Sequence, residues 1–89
     1  MQIEENVSQE VITRLKRAQG QIGGIIAMIE DGRDCADIVT QMAAAARAMD
    51  RAGFKIVASG LRQCQSAELR GESPAMSREQ MEKLFLTLA

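Results

Sequence analysis

Apolar residues recur at alternating intervals of four and three in two long stretches of this chain. In the first stretch they are Val11, Leu15, Ala18, Ile22, Ile25 and Ile29. In the second they are Ile38, Met42, Ala45, Met49, Ala52 and Ile56. This heptad spacing places apolar side chains on one face of a helix and favours packing of helix against helix. The pattern therefore predicts an all-α protein.

Three helices are predicted within one helical domain that spans residues 1–89, at about residues 7–31, 35–70 and 77–88. Gly32 is suited to the position after the first helix, and Asp34 to the N-cap of the second. Ser77 opens the third helix with the capping box SREQ.

The first helix lacks so clear a start signal. Asn6 or Ser8 is expected to cap it, because short polar side chains accept hydrogen bonds from the first free backbone N–H groups.

The second predicted helix is too long for one small chain to cover. A helix of about 35 residues is about 50 Å long at 1.5 Å per residue, and no proline interrupts residues 35–70. A lone three-helix chain of 89 residues also has a small core. We therefore expect a second copy of the chain to cover this helix.

Composition excludes several classes of function. Charged residues make up 26% of the chain, which argues against disorder. No apolar segment of signal-peptide or membrane-spanning type is present, so we expect a cytoplasmic protein with no membrane partner. Thiols stay reduced there, and a structural disulfide is not expected. Without histidine or a CxxC pair, we expect neither an enzyme nor a resident metal or cofactor.

The two cysteines, Cys35 and Cys64, lie 29 positions apart in the second predicted helix. Such a spacing corresponds to about eight turns plus 20° and about 43 Å along the axis. A disulfide needs Cα atoms within about 7 Å, so the two thiols of one chain cannot react with each other. In an antiparallel two-fold dimer, Cys35 would face Cys64 of the other chain. With that dimer assumed, the spacing predicts two symmetric dithiol sites.

Cys35 is expected to be the more reactive thiol, because it lies beside unpaired N–H groups at a helix start. The alternative is that both cysteines are incidental, with Cys64 a small core residue and Cys35 a surface thiol.

Basic residues gather in the middles of the first two predicted helices, although the net charge is −1. They are Arg14, Lys16 and Arg17, followed by Arg47, Arg51 and Lys55. Such helix faces can bind the phosphates of double-stranded DNA, or they can simply be solvated. The chain offers no aromatic platform for stacking bases, so single-strand or RNA binding is disfavoured.

Three segments resemble the CsoR/RcnR family of bacterial transcriptional repressors: RLKRAQGQIGGI (14–25), DGRDCADIVTQMAAA (31–45) and GLRQC (60–64). The resemblance covers about residues 7–88. It implies an antiparallel four-helix bundle built from two chains and a tetramer made of two such dimers. It also implies binding of operator DNA through basic faces, and release of the DNA by an inducer at cysteines shared between subunits.

The resemblance also assigns individual residues. Cys35 and Cys64 match the two cysteines of the sensor site. Arg14 and Lys16 match basic first-helix positions tied to DNA binding, and Arg51 matches a basic position of the second helix. Together with the neighbouring cations named above, they form the set of candidate DNA contacts.

Gly60 is the departure that distinguishes the branches of this family. Copper-sensing members have a histidine at this position, four residues before the second cysteine, and nickel and cobalt members need several histidines. Formaldehyde-sensing members typically have proline where this chain has Gln2. A sequence with these two cysteines and no histidine resembles members of the persulfide-sensing branch, often called CstR. We therefore expect reactive sulfur species as the inducer, with Cu(I) held by Cys35 and Cys64 alone as the alternative.

Two further interpretations stay open at this point. One is a thiol-based sulfur-transfer enzyme or carrier, and the other is a helical adaptor with incidental cysteines.

Overall fold

The computed structural model describes residues 2–89, which form three α-helices and no strand. The helices are α1 (Glu5–Glu30), α2 (Cys35–Leu69) and α3 (Arg78–Leu88). The prediction of an all-α chain with three helices is therefore confirmed. Each helix bound lies within two residues of the expected one, and the largest difference is the earlier start of α1.

The start of α1 differs from the expected cap. Glu4 holds the N-cap position, and no side chain caps this helix end. The backbone N–H of Ser8 donates to the carbonyl of Glu4 at 2.8 Å, so the chain is already helical at Asn6 and Ser8. The expectation that Asn6 or Ser8 caps α1 is wrong because both residues lie inside the helix.

The other helix boundaries follow the sequence signals. Asp34 caps α2, and its side chain accepts from the backbone N–H of Ala36 at 3.2 Å. Gly32 has a φ of +69°, a conformation that glycine adopts without strain. Ser77 and Gln80 form the predicted capping box, with bonds of 3.2 and 2.8 Å between each side chain and the other's backbone N–H.

Helices α1 and α2 run antiparallel. The side chain of Gln63, late in α2, donates to the carbonyl of Gln2 at 3.3 Å. Val7 and Val11 of α1 form the buried core cluster together with Ala52 of α2. Because Ala52 is small, the two helices can approach closely here.

Helix α3 packs antiparallel on the second half of α2. The rings of Phe54 and Phe85 lie 5.5 Å apart between centroids, in a tilted arrangement. Met81, which is only 1% exposed, fills the contact between the two helices. At the other end of α3, the methyl groups of Leu88 lie directly over Gly53. Within residues 2–89, α1 and α3 do not pack against each other.

One protomer is flat and elongated. Its principal extents are 58 × 24 × 12 Å, and its radius of gyration is 17.1 Å, against about 12 Å for a compact chain of this length. The first half of α2 and the second half of α1 leave large apolar side chains exposed. They include Ile22, Ile26, Ile29, Val39 and Met42. This uncovered face is the feature that a second copy of the chain would cover.

No helix within residues 2–89 is both long and apolar enough to span a bilayer.

Candidate sensor thiols and a basic cleft

Cys35 is the first residue of α2, and its thiol is free and exposed. The Asp34 cap fixes the backbone immediately before it. Arg33 and Asp37 form an exposed ion pair of 3.6 Å across this helix start. The local structure therefore presents Cys35 to the solvent at one end of the protomer.

Cys64 lies near the opposite end of the same helix and is only 2% exposed. Its Sγ lies 3.6 Å from Oε1 of Glu68, one turn further along α2. Burial raises the pKa of the Cys64 thiol, and its hydrogen bond to the Glu68 carboxylate acts in the same direction. In one isolated protomer Cys64 is therefore held as a protonated, shielded thiol.

An ion pair links this thiol to α3. Arg78, the first residue of α3, donates two hydrogen bonds to the carboxylate of Glu68. Its Nη2 lies 2.8 Å from Oε2, and its Nε lies 3.1 Å from Oε1. The Arg78 guanidinium lowers the pKa of Glu68, so the carboxylate stays ionised and accepts the thiol hydrogen. Cys64 is thus connected to the start of α3 through one carboxylate.

Two surface clefts flank Cys64. One, of about 320 Å³, is lined by apolar side chains of α2 and α3, among them Leu61, Met81 and Phe85. The other, of about 410 Å³, lies under the loop that joins α2 to α3 and is more polar in its lining. Cys64 lines both clefts, although its side chain is almost completely buried.

The two thiols do not meet within one protomer. Both cysteines lie in the single uninterrupted helix α2, and both are free. The helical rise of 1.5 Å per residue separates them by about 43 Å. Any bond between them must therefore join two chains.

The predicted DNA-binding residues fall into two groups. Arg14, Arg51 and Lys55 line a cleft of about 400 Å³ between α1 and α2, and Arg17 joins Arg14 and Arg51 in an adjoining cleft of about 130 Å³. Lys16 and Arg47 are exposed and line neither cleft.

Two further charged residues of the larger cleft were not predicted from the sequence. Arg62 lines the cleft, and its position one heptad after Lys55 was the available signal. Glu10 also lines the cleft, and its Oε1 lies 3.3 Å from Arg14 and 3.2 Å from Lys55. Lys55 and, after it, Arg14 lower the pKa of Glu10. The sequence indicates the contact of Glu10 with Arg14, because the two residues are four positions apart in one helix, but it does not indicate the contact with Lys55.

The donor groups of the chain limit what metal it could hold. Within residues 2–89 of one protomer, no three His, Cys, Asp or Glu side chains come together as a metal site. Gly60, one turn before Cys64, lies buried in α2 and offers no donor. A trigonal site of two sulfurs and one imidazole therefore cannot form, whereas two thiolates from two chains suit a soft, two-coordinate ion such as Cu(I).

The chain is similar to known transcriptional repressors. The sequence profile of the metal-sensitive transcriptional repressors matches residues 7–89. The copper-sensing transcriptional repressor CsoR of Mycobacterium ulcerans is 33% identical over 79 residues, which cover 88% of this chain and 68% of that protein. No solved structure matches the chain.

Two other curated relatives match over shorter segments. CsoR of Bacillus subtilis is 34% identical over 55 residues, which cover 62% of this chain and 54% of that protein. The copper-sensing transcriptional repressor RicR of Mycobacterium tuberculosis is 35% identical over 51 residues, covering 57% and 53%. The chain thus spans about half the length of these two relatives.

Proposed function

The chain belongs to the family of metal-sensitive transcriptional repressors, and on that premise we propose that it represses by binding double-stranded operator DNA until reactive sulfur species modify its thiols. In this proposal Cys35 of one chain and Cys64 of the facing chain form the sensor, and their modification or crosslinking releases the DNA. The family consists of regulators rather than enzymes, which argues against the sulfur-transfer enzyme considered above.

The observation that carries the proposal is the placement of the two thiols. Cys35 and Cys64 occupy opposite ends of one unbroken helix, in a chain without a single histidine. An antiparallel dimer would bring an exposed thiol of one chain to the buried thiol of the other. The uncovered apolar face of α1 and α2 supports such a dimer, and a pair of dimers would form the tetramer that we expect.

The chemistry suits thiols of unequal exposure. The thiolate of Cys35, whose proton has passed to solvent, attacks a sulfur atom of a polysulfide, and a shorter polysulfide leaves. Cys64 of the facing subunit then loses its proton to solvent, and its thiolate attacks the sulfur chain left on Cys35, at the sulfur next to the terminal one. Hydrosulfide departs, and the bridge keeps the remaining extra sulfur atoms. Such a bridge is longer than a disulfide, so it tolerates a wider gap between helices.

DNA binding is proposed for the basic residues of α1 and α2. Arg14, Arg17, Arg51 and Lys55 line adjoining clefts, while Lys16 and Arg47 are exposed outside these clefts. Phosphate contacts of this kind position a protein on DNA and make its affinity depend steeply on salt.

A Cu(I)-responsive repressor is the second candidate, and the relatives favour it. Three of them are described as copper-sensing repressors, at 33 to 35% identity. In this case Cys35 and Cys64 of the facing chain would hold the ion as two thiolates, without the third ligand that Gly60 fails to provide.

The test joins mass analysis with DNA binding. Reduced protein is exposed to polysulfide or to Cu(I), its intact mass is measured without reductant, and its affinity for a duplex selected from a random pool is titrated in parallel. Cys35→Ser and Cys64→Ser chains serve as matched controls. Covalent dimers that gain whole sulfur atoms and lose the DNA are the expected result.

Other outcomes discriminate between the candidates. Chains that stay uncrosslinked and bound after polysulfide, but release the DNA with Cu(I), establish the copper candidate. If neither treatment changes DNA affinity in the wild type, the cysteines are incidental and the chain is a helical adaptor or a repressor with another signal.

A further inference from the structure

Basic side chains of α1 and α2 form one continuous strip along the groove between these helices. The larger cleft contributes Arg14, Arg51, Lys55 and Arg62, and the smaller one adds Arg17. Since the two clefts share Arg14 and Arg51, the cations lie side by side rather than in separate patches. We call these five residues the basic strip.

One acidic side chain lies within this strip. Glu10 is the single carboxylate among the residues that line the two clefts. Its Oε1 atom contacts both Arg14 and Lys55, so one oxygen bridges α1 and α2. The Glu10 side chain is 44% exposed and can be reached from solvent. Ion pairs this exposed are weak, so a competing anion can displace them.

Resting on the DNA binding proposed above, we infer that a DNA phosphate replaces the Glu10 carboxylate in this cleft, with Arg62 as a further phosphate contact. Phosphate and carboxylate oxygens are alike as acceptors for guanidinium and ammonium groups. The Nε atom of Arg14 is buried and has no acceptor among residues 2–89, so this guanidinium has a donor left to satisfy. Arg51 and Arg62 form no ion pair within the described chain.

Glu10 then acts as an internal competitor of DNA. In the free protein its carboxylate neutralises part of the strip, and binding requires that its contacts to Arg14 and Lys55 break. Loss of its charge should tighten DNA binding, whereas loss of Arg62 should weaken it. If Glu10 serves only to hold α1 against α2, its loss should instead lower both the stability of the fold and the affinity for DNA.

The experiment compares Glu10→Gln and Arg62→Gln in the full chain. Binding to a fluorescent random-sequence duplex is measured by anisotropy over a series of salt concentrations. Glu5→Gln and Arg70→Gln are the matched controls, because they change the charge equally at positions outside the strip. Thermal unfolding of each variant reports separately on the fold.

We expect Glu10→Gln to bind about three- to tenfold more tightly, the range expected when exposed ion pairs no longer have to be broken. Arg62→Gln should bind more weakly and reduce the slope of log affinity against log salt by about 0.9 for each phosphate that the variant no longer neutralises. Both controls should lie close to the wild type.

The results separate this inference from the proposed function. If the wild type binds but Glu10→Gln matches Glu5→Gln or binds more weakly, the competitor role is wrong while DNA binding stands. If Arg62→Gln matches Arg70→Gln, the added phosphate contact is wrong. If neither the wild type nor Glu10→Gln binds duplex at low salt, the proposed function fails and the inference with it.

Discussion

At the scale of single residues, the two thiols differ most in their access to solvent. Cys35 is exposed at a helix start, whereas Cys64 is buried and has a raised pKa. We expect iodoacetamide at neutral pH to label Cys35 well before Cys64, because alkylation needs an accessible thiolate. Mass analysis of peptides over time measures both rates in one sample.

The control for this prediction is the same reaction in strong denaturant, where the two rates should converge. Equal rates in the folded protein, or faster labelling of Cys64, would contradict the assignment of Cys35 as the first thiol to react.

The Glu68–Arg78 pair predicts a specific dependence of stability on pH. Arg78 lowers the pKa of Glu68 from its ordinary value of 4.5, so the folded state binds this proton less tightly than the unfolded state. The stabilisation is fully present above the unfolded value and is lost as the pH falls through the lower folded value. At pH 7, Glu68→Gln should therefore unfold at lower urea concentration than the wild type, and the difference should vanish in more acidic solution.

Glu82→Gln is the matched control for that measurement, since Glu82 lies in α3 and forms no ion pair among residues 2–89. A difference between the wild type and Glu68→Gln that persists unchanged at acid pH would show that the effect is not electrostatic.

Contacts of this kind were beyond what the sequence could predict. The separation of Cys35 and Cys64 follows from the fixed rise of a helix, so the spacing of the two residues in the sequence is enough to predict it. By contrast, the contacts of Glu68 with Arg78, and of Glu10 with Lys55, join different helices. They depend on where two helices cross, and heptad spacing does not specify that point.

At the scale of the helices, α3 packs closely on α2 where Leu88 lies over Gly53. A Cβ atom added at Gly53 would lie 2.8 and 2.9 Å from the two methyl carbons of Leu88. The side chain of Leu88 must therefore move in Gly53→Ala, and the packing that it loses should offset the gain in helix propensity, which is about 1 kcal/mol for glycine to alanine. Gly20→Ala meets no neighbouring atom in one protomer, so it should keep this gain and stabilise the fold more than Gly53→Ala does. Urea unfolding of both variants measures the contrast.

The background Leu88→Ala tests the cause. If Leu88 is the obstacle, Gly53→Ala should be more stabilising in that background than in the wild type. An equal effect on the free energy of unfolding in both backgrounds would show that the obstacle lies elsewhere.

The helices themselves were readily predicted, and the reason is visible in their patterns. Spacings of four and three persist through α1 and α2, and Asp34 and Ser77 supply N-caps at the starts of α2 and α3. The start of α1 was mispredicted because Asn6 and Ser8 are also compatible with a helix interior, where they lie. A polar residue near a helix end therefore predicts the end only approximately.

At the scale of the whole molecule, the flat chain leaves one apolar face of α1 and α2 uncovered. Ile26 is 53% exposed there. We expect the wild type to sediment as a dimer or tetramer, and Ile26→Glu to dissociate or unfold, since burying an unpaired carboxylate is costly. Thr13→Glu, on another side of α1, should keep the wild-type mass. Sedimentation of an unchanged assembly for Ile26→Glu would place the interface elsewhere.

The length of α2 also has a genetic consequence. In the antiparallel dimer proposed above, a Cys35→Ser chain keeps Cys64 and a Cys64→Ser chain keeps Cys35, so neither variant homodimer would hold a complete pair. A mixed dimer would hold one complete pair at one end and none at the other. Two alleles that are each unresponsive should therefore complement one another when expressed together, and a reporter strain carrying both would reveal it. If the reporter in such a strain stays repressed after the inducer is added, the two thiols do not act across subunits.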